Sequence, residues 1–219
     1  MKTDGNLLKN LNGLTTSKQL RSFWGGSKGL PSTILYASLK FEEGYWRVMN
    51  IEIEISGCKL LNSPRSIDSR GFFQRIADTE WVDTQEDLKQ ISLSHSLEKY
   101  TLRGLHYQFS KDSEFKIVNV VAGSIYDVIL DLRPESKTYL KHQTFILKES
   151  DEVALVIAPG IAHGFMTLEA NTSLIYSMTS NFSKNNYAGV RWDDPKISIK
   201  WPANPRLISD QDQGWPLLC

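Results

Sequence analysis

The sequence predicts an all-β protein, a sandwich or barrel of short strands, and three observations carry that prediction. From residue 50 onward, short apolar stretches rich in Ile, Val, Leu and Tyr recur at regular intervals. Gly, Pro and Asn turns separate them, the punctuation of antiparallel sheets. In that part only residues 81–89 have helical character. A chain of 219 residues that is 41% hydrophobic and 23% charged has the make-up of a soluble globular protein. Folding at this size buries roughly 70% of the extended chain's area, enough for one domain without disulfide or metal staples.

Taken in order, residues 1–48 read as an N-terminal extension and 49–219 as the folded domain. The extension holds six of the fourteen glycines and carries a +4 charge, against −4 for the remainder. An appendage without chemistry is the simpler reading of such a biased segment. Met49 is a candidate natural start, because Ile51, Ile53 and Ile55 then alternate with Glu52 and Glu54 as in a half-buried strand. In the stretch around His95, alternation puts Ser92, Ser94 and Ser96 on one face and His95 on the other. Residues 117–121 and 125–133 read as a hairpin, with Gly123 supplying the positive φ of its turn. The second of these strands carries Tyr126, Val128, Leu130 and Leu132 on one side. Asp127, Asp131 and Arg133 share the other side with Ile129, facing water in a simple sheet or a polar lumen in a small barrel. Further strands are expected over 144–148, 153–158, 164–169 and 173–179.

Charge and cysteines exclude whole classes of function. Lys plus Arg number 25 and Asp plus Glu 25, so the basic excess of a nucleic-acid or anionic-membrane binder is missing. Two cysteines, Cys58 and Cys219, make no disulfide framework, which points to a reducing, cytoplasmic compartment. No apolar run approaches membrane-spanning length, and the N-terminus lacks a signal-peptide core.

Four histidines are candidates for chemistry. His142 lies in a polar connection and His95 has no partner nearby in sequence. His106 sits in Leu-Arg-Gly-Leu-His-Tyr-Gln with Arg103 and Gln108, and His163 in Ala-Pro-Gly-Ile-Ala-His-Gly-Phe. Taken alone, each is as readily a hydrogen-bonded core residue as a base. Metal sites in small β-barrels place two histidines one residue apart so that alternation aims both at one ion, and no His-x-His occurs here.

The ordered blocks Asp68-Ser-Arg-Gly-Phe-Phe73, Leu102-Arg-Gly-Leu-His-Tyr-Gln108, Lys116-Ile-Val, Asp127-Val-Ile-Leu-Asp-Leu-Arg133, Ala158-Pro-Gly-Ile-Ala-His-Gly-Phe165, Trp192-Asp-Asp-Pro195 and Ile199-Lys-Trp-Pro202 are spread along the domain, about residues 50–218. Together they resemble the dTDP-4-dehydrorhamnose 3,5-epimerase family. The resemblance implies a cupin-like double-stranded β-helix (jelly roll) with a few short helices. It further implies a homodimer exchanging N-terminal strands, no metal or organic cofactor, and a nucleotide-linked 4-keto-6-deoxyhexose as substrate. It makes His106 the base, Asp212 the carboxylate that orients it, Lys116 the cation for the enolate oxygen and Tyr176 the acid on the other face. Asp210 lies close enough to be confused with Asp212. Arg70 and Arg103 match positions that grip the pyrophosphate, and Phe73, Gln108, His163 and Asn119 complete the expected binding set. Asp127, Asp131 and Arg133 then read as lumen-facing.

Departures fall on the recognition positions. Arg75 stands where the family usually has Glu, Asn119 where it has Arg, and Ser92 where it has Asn. Phe182-Ser-Lys-Asn-Asn-Tyr187-Ala-Gly189 replaces a Tyr-x-Pro-x-x-Glu-x-Gly loop. The acid–base set is kept while the nucleotide contacts drift, so the nucleotide is an open choice. The alternative is a sugar-nucleotide-binding cupin without catalysis, against which an intact acid and base argue.

Overall fold

The computed structural model describes residues 53–82 and 87–218, together with the backbone of three N-terminal strands: β1 (Ile34–Leu35), β2 (Leu39–Glu42) and β3 (Tyr45–Val48). Apart from these strands, the expected extension lies outside the described residues. The described residues belong to one unit, Thr33–Cys219. The remaining strands are β4 (Lys59–Asn62), β5 (Arg65–Asp68), β6 (Gly71–Gln74), β7 (Gln90–Ser96), β8 (Leu102–Gln108), β9 (Lys116–Ala122), β10 (Ser124–Asp131), β11 (His142–Lys148), β12 (Val153–Ile157), β13 (Ile161–Thr167), β14 (Thr172–Met178) and β15 (Tyr187–Gly189). One helix of four residues, α1 (Asp210–Gln213), lies near the C-terminus.

Two sheets result, ordered β1-β11-β10-β13-β8-β15 and β4-β12-β9-β14-β7, with β2–β3 and β5–β6 as separate hairpins. This is the cupin-like jelly roll. Pairing is antiparallel throughout except for β1 beside β11. The inner faces meet through Ile125, Ile129, Phe145 and Phe165 from the first sheet and Leu60, Val118, Leu155 and Leu174 from the second. Each such side chain contributes about 1.5–3 kcal/mol by leaving water. The outer face of the six-stranded sheet (Leu105, Tyr126, Val128, Met166) is covered by the C-terminal segment through Val190, Trp192, Ile197 and Trp201. Every residue of β10 is therefore buried, and Asp127 and Asp131 have no exposed surface. Asp131 is satisfied by Arg133, Ser136 and Thr138, so it braces the strand end.

Three expectations are corrected. Residues 116–131 form no hairpin: β9 pairs with β12 and β14, whereas β10 pairs with β11 and β13. Gly123 does adopt φ +74, but its turn passes the chain from one sheet to the other because each strand needs its own sheet to satisfy two ladders. Of the strand expected over 51–55, residues 51 and 52 lie outside the described residues. Residues 53–55 bend and join no ladder; their alternation marks burial, with Ile55 enclosed in the core and the Glu54 N–H donating to Gln143 Oε1. Of the helix expected over 81–89, residues 83–86 lie outside the described residues; among the rest, Trp81 ends a 3-10 turn (Thr79–Trp81), Val82 is extended and 87–89 are irregular. Among the described residues no helix is long and apolar enough to cross a membrane.

Candidate active site

At one end the space between the sheets turns polar and opens as a cavity of about 170 Å³. The six-stranded sheet supplies one wall through β8, β13 and β15. His106 and Gln108, two residues apart on β8, face the cavity together. Arg103 also reaches it despite its odd spacing from His106, because the β8–β13 register shifts between His163 and Phe165. Gly104 makes that irregularity feasible. Its φ is +124, and a Cβ there would lie 2.4 Å from the Gly164 Cα.

His106 Nε2 lies 2.5 Å from Asp212 Oδ1. Ser209 caps α1 by accepting the Asp212 N–H, which fixes the carboxylate's approach, while Asp210 is exposed on the same turn. Asp212, and not Asp210, is therefore the carboxylate that meets His106. It also accepts the Gly104 N–H at 3.2 Å and the Trp215 indole N–H at 3.3 Å. Burial opposes its ionisation, but the His106 ring and these donors hold it below the usual carboxylate range. A neutral ring that donates through Nε2 keeps Nδ1 as its basic nitrogen.

The facing wall comes from the five-stranded sheet. Register pairs Met178 with Lys116 and Tyr176 with Val118, so Lys116 and Tyr176 share one face. Burial lifts the Tyr176 phenol far above its ordinary range, with the Asp127 charge adding to the effect, so it stays protonated at neutral pH. Lys116 is buried beside Glu114, 3.3 Å away. Its own pKa is lowered by burial and supported by that carboxylate.

On the first wall His163, opposite His106 in register, bonds Asp127 at 2.7 Å and meets the Tyr176 ring edge-on, with centroids 6.0 Å apart. Arg103 lies alongside, its guanidinium donating to Ser96 Oγ and the His95 carbonyl. Gln108 lines the cavity with its amide already engaged by Glu114 and Ser183.

Three expected residues lie elsewhere. Arg70 and Phe73 sit on the β5–β6 hairpin, with Phe73 74% exposed and Arg70 paired to Asp68. Asn119 is three residues from Lys116, so strand alternation turns it to the opposite face, where it donates to the Ile76 carbonyl. Sequence reasoning missed Glu114, Gln90, Phe182, Tyr187 and Trp215. The Tyr187 ring lies 5.3 Å from that of His106 and 5.9 Å from that of Trp215, so an aromatic cluster borders the imidazole. Among the described residues no group of three or more His, Cys, Asp or Glu could hold a metal ion.

Comparison with known proteins identifies the family. The family described as dTDP-4-dehydrorhamnose 3,5-epimerase matches residues 52–219. An epimerase of that name from Sinorhizobium fredii is 34% identical over 171 residues, covering 76% of this chain and 88% of the relative. The crystal structure of the Bacillus anthracis enzyme, with TDP and pyrophosphate bound, superposes with a TM-score of 0.73 at 35% identity, covering 78% of this chain and 99% of that one. The Legionella pneumophila enzyme, in complex with dTDP-4-keto-L-rhamnose, gives 0.71 at 30% identity over 77% and 92%. The chain belongs to the dTDP-4-dehydrorhamnose 3,5-epimerase family and is an isomerase of that class.

Proposed function

We propose that the cavity epimerises a nucleotide-linked 4-keto-6-deoxyhexose at a carbon next to its C4 ketone, with His106 as base and Tyr176 as acid. The observation that carries the proposal is their placement on opposite walls of one cavity. His106 removes the proton on one face, and the C–H electron pair moves into the enolate, whose oxygen Lys116 stabilises. Tyr176 delivers a proton to the other face, and solvent restores both residues. Asp212 fixes the His106 tautomer and stabilises the imidazolium. His163 and Arg103 bind and orient the substrate. Cys58, a buried free thiol, suits the expected cytoplasmic setting.

At about 170 Å³ the cavity is small beside the roughly 300–1,000 Å³ of drug-sized ligand sites, so it suits the sugar and leaves the nucleotide outside. We infer that a second copy completes that outer part. Strand β7 turns its serines inward and Ile91 and Leu93 outward, both more than 60% exposed, and the β5–β6 hairpin presents Ile67, Phe72 and Phe73 to solvent. Apolar faces of this kind fit a homodimer in which the hairpin carries Arg70 and Phe73 to the partner's pocket.

Two experiments test these readings. In D2O with dTDP-4-keto-6-deoxyglucose, the enzyme washes deuterium into C3, C5 or both, and His106→Ala abolishes the wash-in; exchange at the wild-type rate in that variant refutes the assignment. Mixing inactive His106→Ala with inactive Arg70→Ala restores about a quarter of wild-type activity if the hairpin crosses between copies, since half of randomly mixed dimers carry one intact pocket. No recovery on mixing places Arg70 outside the partner's site.

A further inference from the structure

Among the described residues lining the cavity, Glu114 is the single carboxylate, and the mechanism above gives it no part. Its side chain is 4% exposed. One oxygen lies 3.3 Å from Lys116 Nζ, and the other accepts the Gln108 Nε2–H at 2.6 Å. Gln108 is itself locked: its Oε1 accepts the Ser183 N–H at 2.6 Å, and its Nε2 also donates to the Asp112 and Asn181 carbonyls at 3.2 Å each. Backbone groups thus decide which end of the amide meets Glu114. Lys116 has a second acceptor in the His106 carbonyl at 3.4 Å. An ammonium has three N–H donors, so two are held by protein and one is left for the cavity.

We propose that Glu114 is a positioning residue for the epimerisation, holding Lys116 charged and aimed at the enolate oxygen while Gln108 holds Glu114 in place. The proposal rests on the epimerase reading of the pocket and adds a residue to it. A lysine this deep gives up its proton unless an anion accompanies it. Burial lowers Lys116 and raises Glu114, and each is opposed by the other's charge. The other titratable groups facing the pair are Asp112 from the preceding turn, Tyr187 from β15 and His106 from β8. Among these groups only Glu114 supports the Lys116 charge against burial, so removing its charge leaves the buried ammonium without that counter-ion.

The test is Glu114→Gln in the full chain, nearly isosteric, with Glu114→Asp as the conservative variant. Two readouts are taken: kcat and KM against pH, and the NMR titration of the 13C-labelled Lys116 side chain, assigned by its loss in Lys116→Arg. In Glu114→Gln, Lys116 loses its proton about one pH unit or more lower, and the alkaline limb of kcat moves down with it. At neutral pH kcat falls about tenfold while KM changes little, the mark of an interaction made in the transition state. Glu114→Asp recovers part of both effects. An unmoved Lys116 titration and alkaline limb in Glu114→Gln, or equal losses in both variants with the pH profile unchanged, would overturn the proposal. A wild-type enzyme that exchanges no 4-keto sugar defeats the epimerase reading instead, and the NMR titration separates the two failures.

Discussion

Two imidazole–carboxylate pairs stand side by side in this protein, on residues that are register partners of strands β8 and β13. His106–Asp212 and His163–Asp127 have similar bond lengths, 2.5 and 2.7 Å. They differ in their surroundings. The His106 side chain keeps 25% of its surface exposed while His163 keeps 5%. Asp212 arrives from a capped C-terminal turn and is hydrogen-bonded by three groups. Asp127 comes from the neighbouring strand β10, and its Oδ1 has no hydrogen-bond partner among the described residues. A ring that must take and release a proton needs solvent or substrate on one side and a saturated carboxylate on the other. Only the first pair offers both. The second packs against Phe165 and Tyr176 and lines the cavity with little exposed surface, in keeping with the substrate-binding role proposed for His163.

Substitution of the two carboxylates breaks this comparison most sharply. Asp212→Asn lowers kcat by on the order of a hundredfold or more, because the amide permits the wrong tautomer and withdraws support from the imidazolium. Asp127→Asn is expected to cost less than tenfold in kcat and to act mainly on KM; steady-state kinetics of both variants check the order, and equal losses would contradict the division of roles. Asp212 also makes the first pair acid-sensitive. Its folded pKa is depressed, so its contribution to stability is present above the unfolded value of about 3.9 and is lost as pH falls through the folded one. Gly104→Ala strikes the backbone that both pairs share. The positive φ and the backbone of Gly164 leave no room for a methyl, and denaturant titration should show a loss of about 2–3 kcal/mol with reduced activity.

The first pair was more legible in the sequence than the surface around it. Lys116 and Tyr176 sit in short strand motifs whose alternation carries into three dimensions, and both reach the cavity. Asp212 lies more than a hundred residues from His106, so the family resemblance, and not any local pattern, connected them. Asn119 was misplaced because a motif match says nothing of strand parity, whereas its odd offset from Lys116 does. Glu114 lies just before β9, outside the reach of that rule, and only the folded chain brings it against Lys116. Tyr187 fell in the departing loop, where only the pairing of β15 with β8 reveals that it stands against His106. The hairpin expected around Gly123 failed for a different reason: a tight turn specifies a reversal, and the choice of partner strands is made by burial over the whole sheet.

The central claim, a base on one wall and an acid on the other, is tested most directly by Tyr176→Phe in D2O with a 4-keto-6-deoxyhexose nucleotide. His106 can still remove the proton and return solvent deuterium from its own face. The account predicts deuterium at the carbon next to the ketone with configuration retained, while inverted product falls by at least about a hundredfold. Exchange and inversion that fall together, or inversion that persists at the wild-type rate, would contradict it.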